Sequence, residues 1–251
     1  MRGIARVAFG AFAALAVVSL ASESATAQSK KPDYAAIIAA PDRTDADKKN
    51  DERREPVKML AFTGVRPGWK VLDMAAGAGY STEIMARGAA PNGTVYAQNP
   101  ADLPDRPKQA YAERAKSPAM KNVTLLERPF DDPVPANVTN LNLITFFYGY
   151  HDTTYLPVDR AKMDKALFKA LKPGGYLVIA DYAAAAGAGT TVGKTFHRIE
   201  ESTLKKEVEA AGFKLVAEGN FLRNPKDPHD MPIFRPQIPI DIFVVKFQKP
   251  K

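Results

Sequence analysis

The chain has 251 residues, with 35 lysines and arginines against 28 aspartates and glutamates, a formal net charge of +7 and no cysteine. The lack of cysteine excludes disulfides, thiolate catalysis and a lipid-modified cysteine anchor. The basic residues are interleaved with acidic ones and form no stripe with aromatic residues between them. Binding to nucleic acid is therefore not expected.

The first 27 residues have the layout of a secretory signal peptide. Arg2 and Arg6 give a positive start, Val7–Leu20 is apolar and rich in alanine, and Ala25-Thr26-Ala27 matches a small-x-small cleavage site. The apolar stretch is shorter than the ~20 residues that a bilayer-spanning helix needs, although a retained N-terminal anchor is the alternative. We expect export to the periplasm or out of the cell, a mature chain from Gln28, and no membrane anchor after cleavage.

The mature chain divides into an N-terminal helical extension, residues 28–68, and a larger domain, residues 69–251. The extension contains the charge-dense run PDRTDADKKNDERREP, which is interpreted as a solvated helix face. In the larger domain, strands alternate with helices through short links, which predicts an α/β fold with a parallel sheet. The predicted strands are Val71–Met74, Thr94–Gln98, Val123–Leu126, Leu141–Phe147, Tyr176–Ala180, Lys214–Ala217 and Ile240–Phe247. The predicted helices of this domain are Ser81–Arg87, Lys108–Ala115, Asp159–Leu171 and Thr203–Ala211.

A loop of small residues follows the first predicted strand, in the segment KVLDMAAGAGYSTE at residues 70–83. Asp73 comes near the end of the apolar run, and Ala75, Gly77 and Gly79 precede the next helix. One interpretation is a tight turn between strand and helix. The other is a backbone bare enough for a nucleotide-like cofactor, since ligands of open α/β sheets bind beyond the carboxyl ends of the strands.

The loop does not match the fingerprint of a nicotinamide dinucleotide site. Thr82 stands where the third glycine of that fingerprint is required, and Asn99 stands where an acid should hold the ribose. A dinucleotide cofactor is therefore not predicted.

Several segments together resemble a known family. VLDMAAGAGYSTE, VYAQN, LNLITFFYGYHD and ALKPGGYLVIAD resemble the class I S-adenosylmethionine-dependent methyltransferases. The chain looks most like the exported branch of predicted methyltransferases that share YHD and the late series HRI, EVEAAGF and LRNP. The resemblance covers roughly residues 33–248. It implies a Rossmann-like class I methyltransferase sandwich, with a seven-stranded, mostly parallel sheet whose last strand is antiparallel.

The same resemblance implies S-adenosylmethionine as the cofactor and assigns residues to it. Asp73 would orient the methionyl part of the cofactor, and the two loop glycines would lie against its adenosine. Asn99 would make one hydrogen bond to the ribose, and either Asp131 or Asp132 would contact the adenine amino group. The implied cofactor-binding residues are Asp73, Ala75, Gly77, Gly79, Tyr80, Asn99, Asp131 and Tyr148.

Candidates for the chemistry follow the fourth and fifth predicted strands. His151 is the candidate base, and Asp152 or a backbone carbonyl would fix its tautomer. Asp181 would bind a cationic acceptor or act as a base. The structural alternatives are a loop-capping role for His151 and a helix-capping role for Asp181. His197 and Arg198 either line the same cleft or pack structurally. No metal site is predicted, because the three histidines are widely separated along the chain.

Two functions remain open at this level. The first is an exported S-adenosylmethionine-dependent methyltransferase that acts on a small molecule or an exposed protein group. The second is a methyltransferase fold that only binds an adenosine-like or amine ligand. The second is favoured by Asn99 in place of an acid, and by export away from the cytoplasm, where S-adenosylmethionine is made.

Overall fold

The computed structural model describes residues 31–234, 236 and 238–251, together with Met1 and Gly3. The predicted signal segment lies outside these residues, apart from Met1 and Gly3. The strands are β1 (Lys70–Met74), β2 (Thr94–Asn99), β3 (Val123–Glu127), β4 (Leu141–Phe147), β5 (Leu171–Tyr182), β6 (Lys214–Gly219) and β7 (Ile242–Gln248). The helices are α1 (Tyr34–Ile38), α2 (Asp45–Arg54), α3 (Pro56–Thr63), α4 (Tyr80–Ala89), α5 (Asp105–Arg114), α6 (Arg160–Ala170), α7 (Gly193–Phe196) and α8 (Glu201–Ala210). Short 3₁₀ turns cover Pro118–Met120 and His151–Thr154.

The described strands form one seven-stranded sheet in the order β3-β2-β1-β4-β5-β7-β6. Strands β1 to β5 are paired in parallel, and β7 is antiparallel to both β5 and β6. The predicted fold class is confirmed. The chain runs outward from β1 to β3 on one side of the sheet and then returns to place β4 on the other side of β1. The carboxyl ends of β1 and β4 therefore border the crevice where an open α/β sheet binds ligands.

The sheet is buried on both faces, which explains why its central strands are apolar without alternation. Leu72, Ile144 and Ile179 pack on one face. Val71 and Leu143 pack on the other, against α3 and α4. Successive residues of a strand point to opposite faces, so both helical layers take part of their core from the same strands.

Strand β5 begins at Leu171, five residues before the predicted Tyr176, and Lys172–Gly175 form a bulge in it between the pairs Leu141–Leu171 and Leu143–Tyr176. The reason is a partner from the end of the chain. The Gly174 N–H donates to the Lys249 carbonyl, and the Lys249 N–H donates to the Gly175 carbonyl, both at 2.9 Å. These bonds supply the pairing that a Pro-Gly-Gly sequence lacks by its own propensity.

Helix α2 is not solvated on all sides, so the predicted solvated face is wrong for one side of it. Arg43 just before it and Asp47 within it are 4% and 1% exposed. The Arg43 guanidinium donates to both carboxylate oxygens of Asp51, at 2.6 and 2.7 Å, and Arg114 on α5 pairs with Asp47. Paired, hydrogen-bonded charges are the ones that tolerate burial, so this highly charged helix packs onto the domain through ion pairs.

None of the helices in the described part of the chain is long and apolar enough to cross a membrane.

Candidate functional site

The loop between β1 and α4 is held in place by two amide side chains at the end of β2. The Gln98 Oε1 accepts the Ala75 N–H at 3.0 Å. Asn99 makes a two-way contact with Gly77, because its Oδ1 accepts the Gly77 N–H at 2.7 Å and its Nδ2 donates to the Gly77 carbonyl at 3.1 Å. A carboxylate at position 99 could not donate to that carbonyl. The amide is thus explained by the loop backbone, and its contact with a ribose stays a prediction.

The two loop glycines face different surroundings. A Cβ atom built at Gly77 would meet only the Ala75 carbonyl oxygen, at 3.8 Å. A Cβ atom at Gly79 would lie 3.0 Å from the side chains of Tyr111 and Arg114 on α5. Gly77 therefore keeps an open face, whereas Gly79 is covered by the protein itself. The missing side chain of Gly79 makes room for α5, and the contact of the two glycines with an adenosine stays a prediction.

Asp73 is fully buried at the base of the loop, where its carboxylate holds the neighbouring elements together. Its Oδ2 accepts hydrogen bonds from the Ser81 and Thr82 hydroxyls, at 2.9 and 2.7 Å, and its Oδ1 accepts one from Thr145 at 2.7 Å. Burial raises the pKa of Asp73, with the three hydroxyls opposing that rise. The carboxylate ties β1 to α4 and to β4. Its influence on a ligand in the crevice is therefore through the shape of the loop.

The two acidic residues after β3 have partners on the protein surface. The Asp131 carboxylate lies 3.2 Å from the Lys162 ammonium group, and Asp132 pairs with Arg128. Their contact with an adenine amino group stays a prediction.

Aromatic residues and one arginine form the other side of the crevice. Tyr148 follows β4 with a left-handed φ of 61°, which is a strained conformation for a side-chain-bearing residue. Its hydroxyl is buried and has no hydrogen-bond partner among the described residues. The Arg54 guanidinium on α2 lies 4.6 Å from the centre of the Tyr148 ring and 5.1 Å from that of Tyr80. The Tyr80 hydroxyl is held by Asp51 at 2.5 Å.

Sequence reasoning missed Arg54, because it belongs to the run of charges that was interpreted as solvated. A guanidinium over two aromatic faces is a favourable arrangement, and it brings positive charge to the mouth of the crevice. Nothing in the local sequence marks this arginine among its charged neighbours.

A cavity of about 610 Å³ lies beyond Tyr148, between the end of α2, the end of β5, the beginning of β7 and the segment that follows β6. Its walls combine Arg54, Tyr148 and Tyr182 with the apolar side chains of Leu222 and Ile242. The glycine loop is not part of these walls. Clefts of this size and mixed lining are typical of sites for small molecules.

The three predicted catalytic residues come together, and His197 joins them. The His151 Nδ1 lies 2.7 Å from the Asp181 Oδ1, and its Nε2 lies 3.1 Å from the Asp152 Oδ1. The His197 Nδ1 lies 3.4 Å from the same Asp152 oxygen. The Tyr155 hydroxyl donates to that oxygen as well, at 2.5 Å.

Asp181 is held in place by backbone groups as well as by His151. It is fully buried, and it also accepts the backbone N–H groups of His151 and Tyr182, both at 2.8 Å. Burial opposes the charged imidazole, but the carboxylates of Asp181 and Asp152 outweigh it and raise the pKa of His151 to about 10. In this arrangement both ring nitrogens are engaged at neutral pH. His151 then has no lone pair with which to act as the predicted base.

The sequence did not connect His151 with His197, since 46 positions separate them. The link is tertiary: α7 follows the loop after β5 and packs against the 3₁₀ turn that carries His151. The expectation of no metal site rested on spacing along the chain. His151, Asp152 and His197 nevertheless offer ligand atoms within 4.8 Å of one another.

Comparison with known proteins agrees with this architecture. Residues 51–192, more than half of the chain, match the ubiE/COQ5 methyltransferase family. The chain belongs to this family. The ubiquinone/menaquinone biosynthesis C-methyltransferase UbiE of Burkholderia multivorans is 29% identical over 123 residues, which are 49% of this chain and 47% of that protein. The protein of the same name from Pasteurella multocida is 31% identical over 122 residues, which are 48% of this chain and 42% of that protein. The chain thus spans about half the length of these relatives.

Among solved structures, a SAM dependent methyltransferase from Aquifex aeolicus superposes with a TM-score of 0.59 at 21% identity. The match covers 87% of this chain and 99% of that one. At this identity the likeness establishes the fold alone.

The stretch that matches the ubiE/COQ5 family contains the glycine loop, Tyr148, His151 and Asp181, and it ends before His197. The segment 220–239, which contributes to the cavity wall, also lies beyond the match. The family match therefore includes the loop after β1, whereas much of the far wall of the cavity belongs to the part of the chain beyond the match.

S-adenosylmethionine, the cofactor of such methyltransferases, fits two observations at this site. Gly77 leaves one face of the loop backbone open, and the buried Tyr148 hydroxyl has no hydrogen-bond partner in the part of the chain that the structure describes. The first suits a nucleoside packed on the backbone, and the second is a polar group that a ligand would satisfy. When bound, the cofactor supplies an electrophilic methyl group on a sulfonium.

Proposed function

We propose that the protein transfers a methyl group from S-adenosylmethionine to a small molecule held in the cavity beside Tyr148. The observation that carries this proposal is the open face of Gly77 at the carboxyl end of β1, in a chain of the ubiE/COQ5 family. Methyl transfer from a sulfonium depends mainly on alignment and exclusion of water. The cavity volume supports a small molecule over a protein group as the acceptor.

The residues of this chain have separate parts in the proposed reaction. The loop, shaped by Asp73 and Asn99, would seat the cofactor. Tyr148 lies between the loop and the cavity and would offer its hydroxyl to the bound ligand. Arg54 would attract a negatively charged group at the crevice mouth. The apolar walls would exclude water from the acceptor.

The second candidate function is binding of an adenosine-like or amine ligand without catalysis. It is favoured by the pairing of His151, which leaves no free nitrogen to remove a proton from an acceptor. Cofactor binding without turnover on any acceptor would support this second function.

Replacing Gly77 by arginine is expected to reduce affinity for S-adenosylmethionine at least ~100-fold. The new side chain would fill the open face of the loop. Isothermal titration of the purified protein with the cofactor measures the change. Gly189→Arg is the matched control, because Gly189 has the same φ of 55° and its nearest neighbour, the Thr203 hydroxyl, is 3.9 Å from a built Cβ.

Equal losses in the two glycine variants would attribute the effect to backbone strain and contradict the proposed site. An unmodified protein that gives no heat at millimolar cofactor would contradict the methyltransferase function altogether.

The export of the protein is part of the proposal, and the arrangement of Arg2, Arg6 and the apolar run supports it. Mass spectrometry of the protein from its native host is expected to find a mature chain that begins at Gln28. A chain that retains Met1 would overturn export.

A further inference from the structure

The cluster of His151, Asp152 and His197 is an assembly of metal-ligand types that neither the family match nor the proposed methyl transfer accounts for. The Asp152 Oδ1 lies 3.1 Å from the His151 Nε2 and 3.4 Å from the His197 Nδ1. Donor atoms bound to one cation at about 2.1 Å lie about 3.0 Å apart in an octahedral site and about 3.4 Å apart in a tetrahedral one. The two measured separations lie within the range between these edges, and all three ligand atoms lie within 4.8 Å of one another.

The surroundings of the cluster also suit a cation. Asp181 lies 2.7 Å from the His151 Nδ1, so it would keep the proton on Nδ1 when a cation takes the place of the Nε2 proton, on the side of Asp152 and His197. A buried carboxylate behind a ligating imidazole is the common outer partner of a metal site. The side chains of Asp152 and His197 are 32% and 25% exposed, which gives a cation a path from solvent.

We propose that His151, Asp152 and His197 bind one divalent transition-metal ion. Two imidazoles and one carboxylate select a first-row ion such as Zn²⁺ or Fe²⁺ over Mg²⁺ or Ca²⁺, which prefer sites made of oxygen ligands. Three protein ligands leave coordination positions open for an oxygen atom of a ligand or for water. The Tyr155 hydroxyl, 2.5 Å from the Asp152 Oδ1, would hold the carboxylate in its binding orientation.

The site would lie beside the cavity and not within it. Tyr182 connects the two, because it lines the cavity and its ring stands edge-on to His151 at 5.8 Å. The proposal does not rest on methyl transfer, since metal binding can be measured without S-adenosylmethionine.

Zinc titration of the metal-stripped, untagged protein is the direct test. One equivalent of Zn²⁺ is expected to bind, and His197→Ala and Asp152→Asn are each expected to weaken binding at least ~100-fold. Co²⁺ in place of Zn²⁺ is expected to give visible absorption bands that the two variants lose. Mg²⁺ is expected to produce no comparable heat.

His229→Ala is the control, because His229 is the third histidine of the chain and contacts Asp241, outside the cluster. It is expected to bind Zn²⁺ like the unmodified protein. Circular dichroism checks that each variant is folded, which is expected for the partly exposed His197 and Asp152. If the unmodified protein binds Zn²⁺ no more tightly than His197→Ala, or if His229→Ala loses as much affinity, the site does not exist.

Discussion

Replacing Arg198 by alanine is expected to lower the free energy of unfolding by about 3–5 kcal/mol. Arg198 is 1% exposed, and its guanidinium donates to both carboxylate oxygens of Asp227, at 2.8 and 3.2 Å. It also donates to the carbonyls of Ala183 and Met231. The truncation would leave a buried carboxylate without its countercharge, which costs far more than the loss of an exposed pair.

The consequence extends to the cavity, because Arg198 joins the end of β5 to the proline-rich segment 220–239. Asp227 itself accepts the backbone N–H groups of Asp241 and His229, at 2.7 and 3.1 Å. We expect faster amide exchange throughout 220–239 in Arg198→Ala. We expect this segment to open locally under conditions in which the rest of the protein stays folded.

Urea unfolding measures the stability change, with Arg223→Ala as the control. Arg223 pairs with Glu201 and Asp241 but is 38% exposed in its side chain. Exposed pairs contribute about 0–1 kcal/mol. Equal changes in the two variants would contradict a special role for the buried ion pair.

Replacing Asp164 by asparagine is expected to stabilise the protein by up to about 4 kcal/mol at pH 8. Burial raises the pKa of Asp164 to about 7, against about 3.9 for an aspartate in an unfolded chain. The folded protein therefore keeps a proton that the unfolded chain has released. Its stability falls as the pH rises from about 4 to about 7, and above that range the loss is complete. Asparagine carries no such proton.

The contacts of Asp164 explain where the proton lies. The Tyr150 hydroxyl is 2.9 Å from the Asp164 Oδ2 and 3.1 Å from the Glu207 Oε2, and one hydroxyl can donate only once. A protonated Asp164 donates to Tyr150, which then donates to Glu207, whose charge is balanced by Arg160 at 2.8 Å. The amide group of an asparagine at position 164 can take the place of the Asp164 proton as the donor to Tyr150.

The measurement is the free energy of unfolding in urea between pH 4 and pH 8. The advantage of Asp164→Asn is expected to shrink toward zero at the acid end of this range. Asp102→Asn, at an exposed position, is the control and is expected to follow the unmodified protein at every pH. A variant advantage that is constant with pH would show that Asp164 is ionised in the folded protein.

The order of strands and helices was readable from the sequence, because each depends on short-range patterns. Apolar runs such as Leu141–Phe147 are buried on both faces of the sheet, and the strand predicted there is confirmed to its ends. The predicted beginning of β5 was wrong by five residues, because the first part of this strand depends on hydrogen bonds to Lys249 near the end of the chain. Local propensity could not anticipate that partner.

What the sequence determined by itself is therefore the fold class and the place of the crevice. A small-residue loop after the first strand must lie at the carboxyl edge of the sheet, whatever packs around it. Tertiary structure decided which side of that loop is open, since α5 covers Gly79 and leaves Gly77 bare. It also decided the partners of the charged groups: Asp47 with Arg114, and His151 with His197. Ion pairs and metal-ligand sets depend on distance in space, and residues 46 or 67 positions apart carry no local sign that the fold will bring them together.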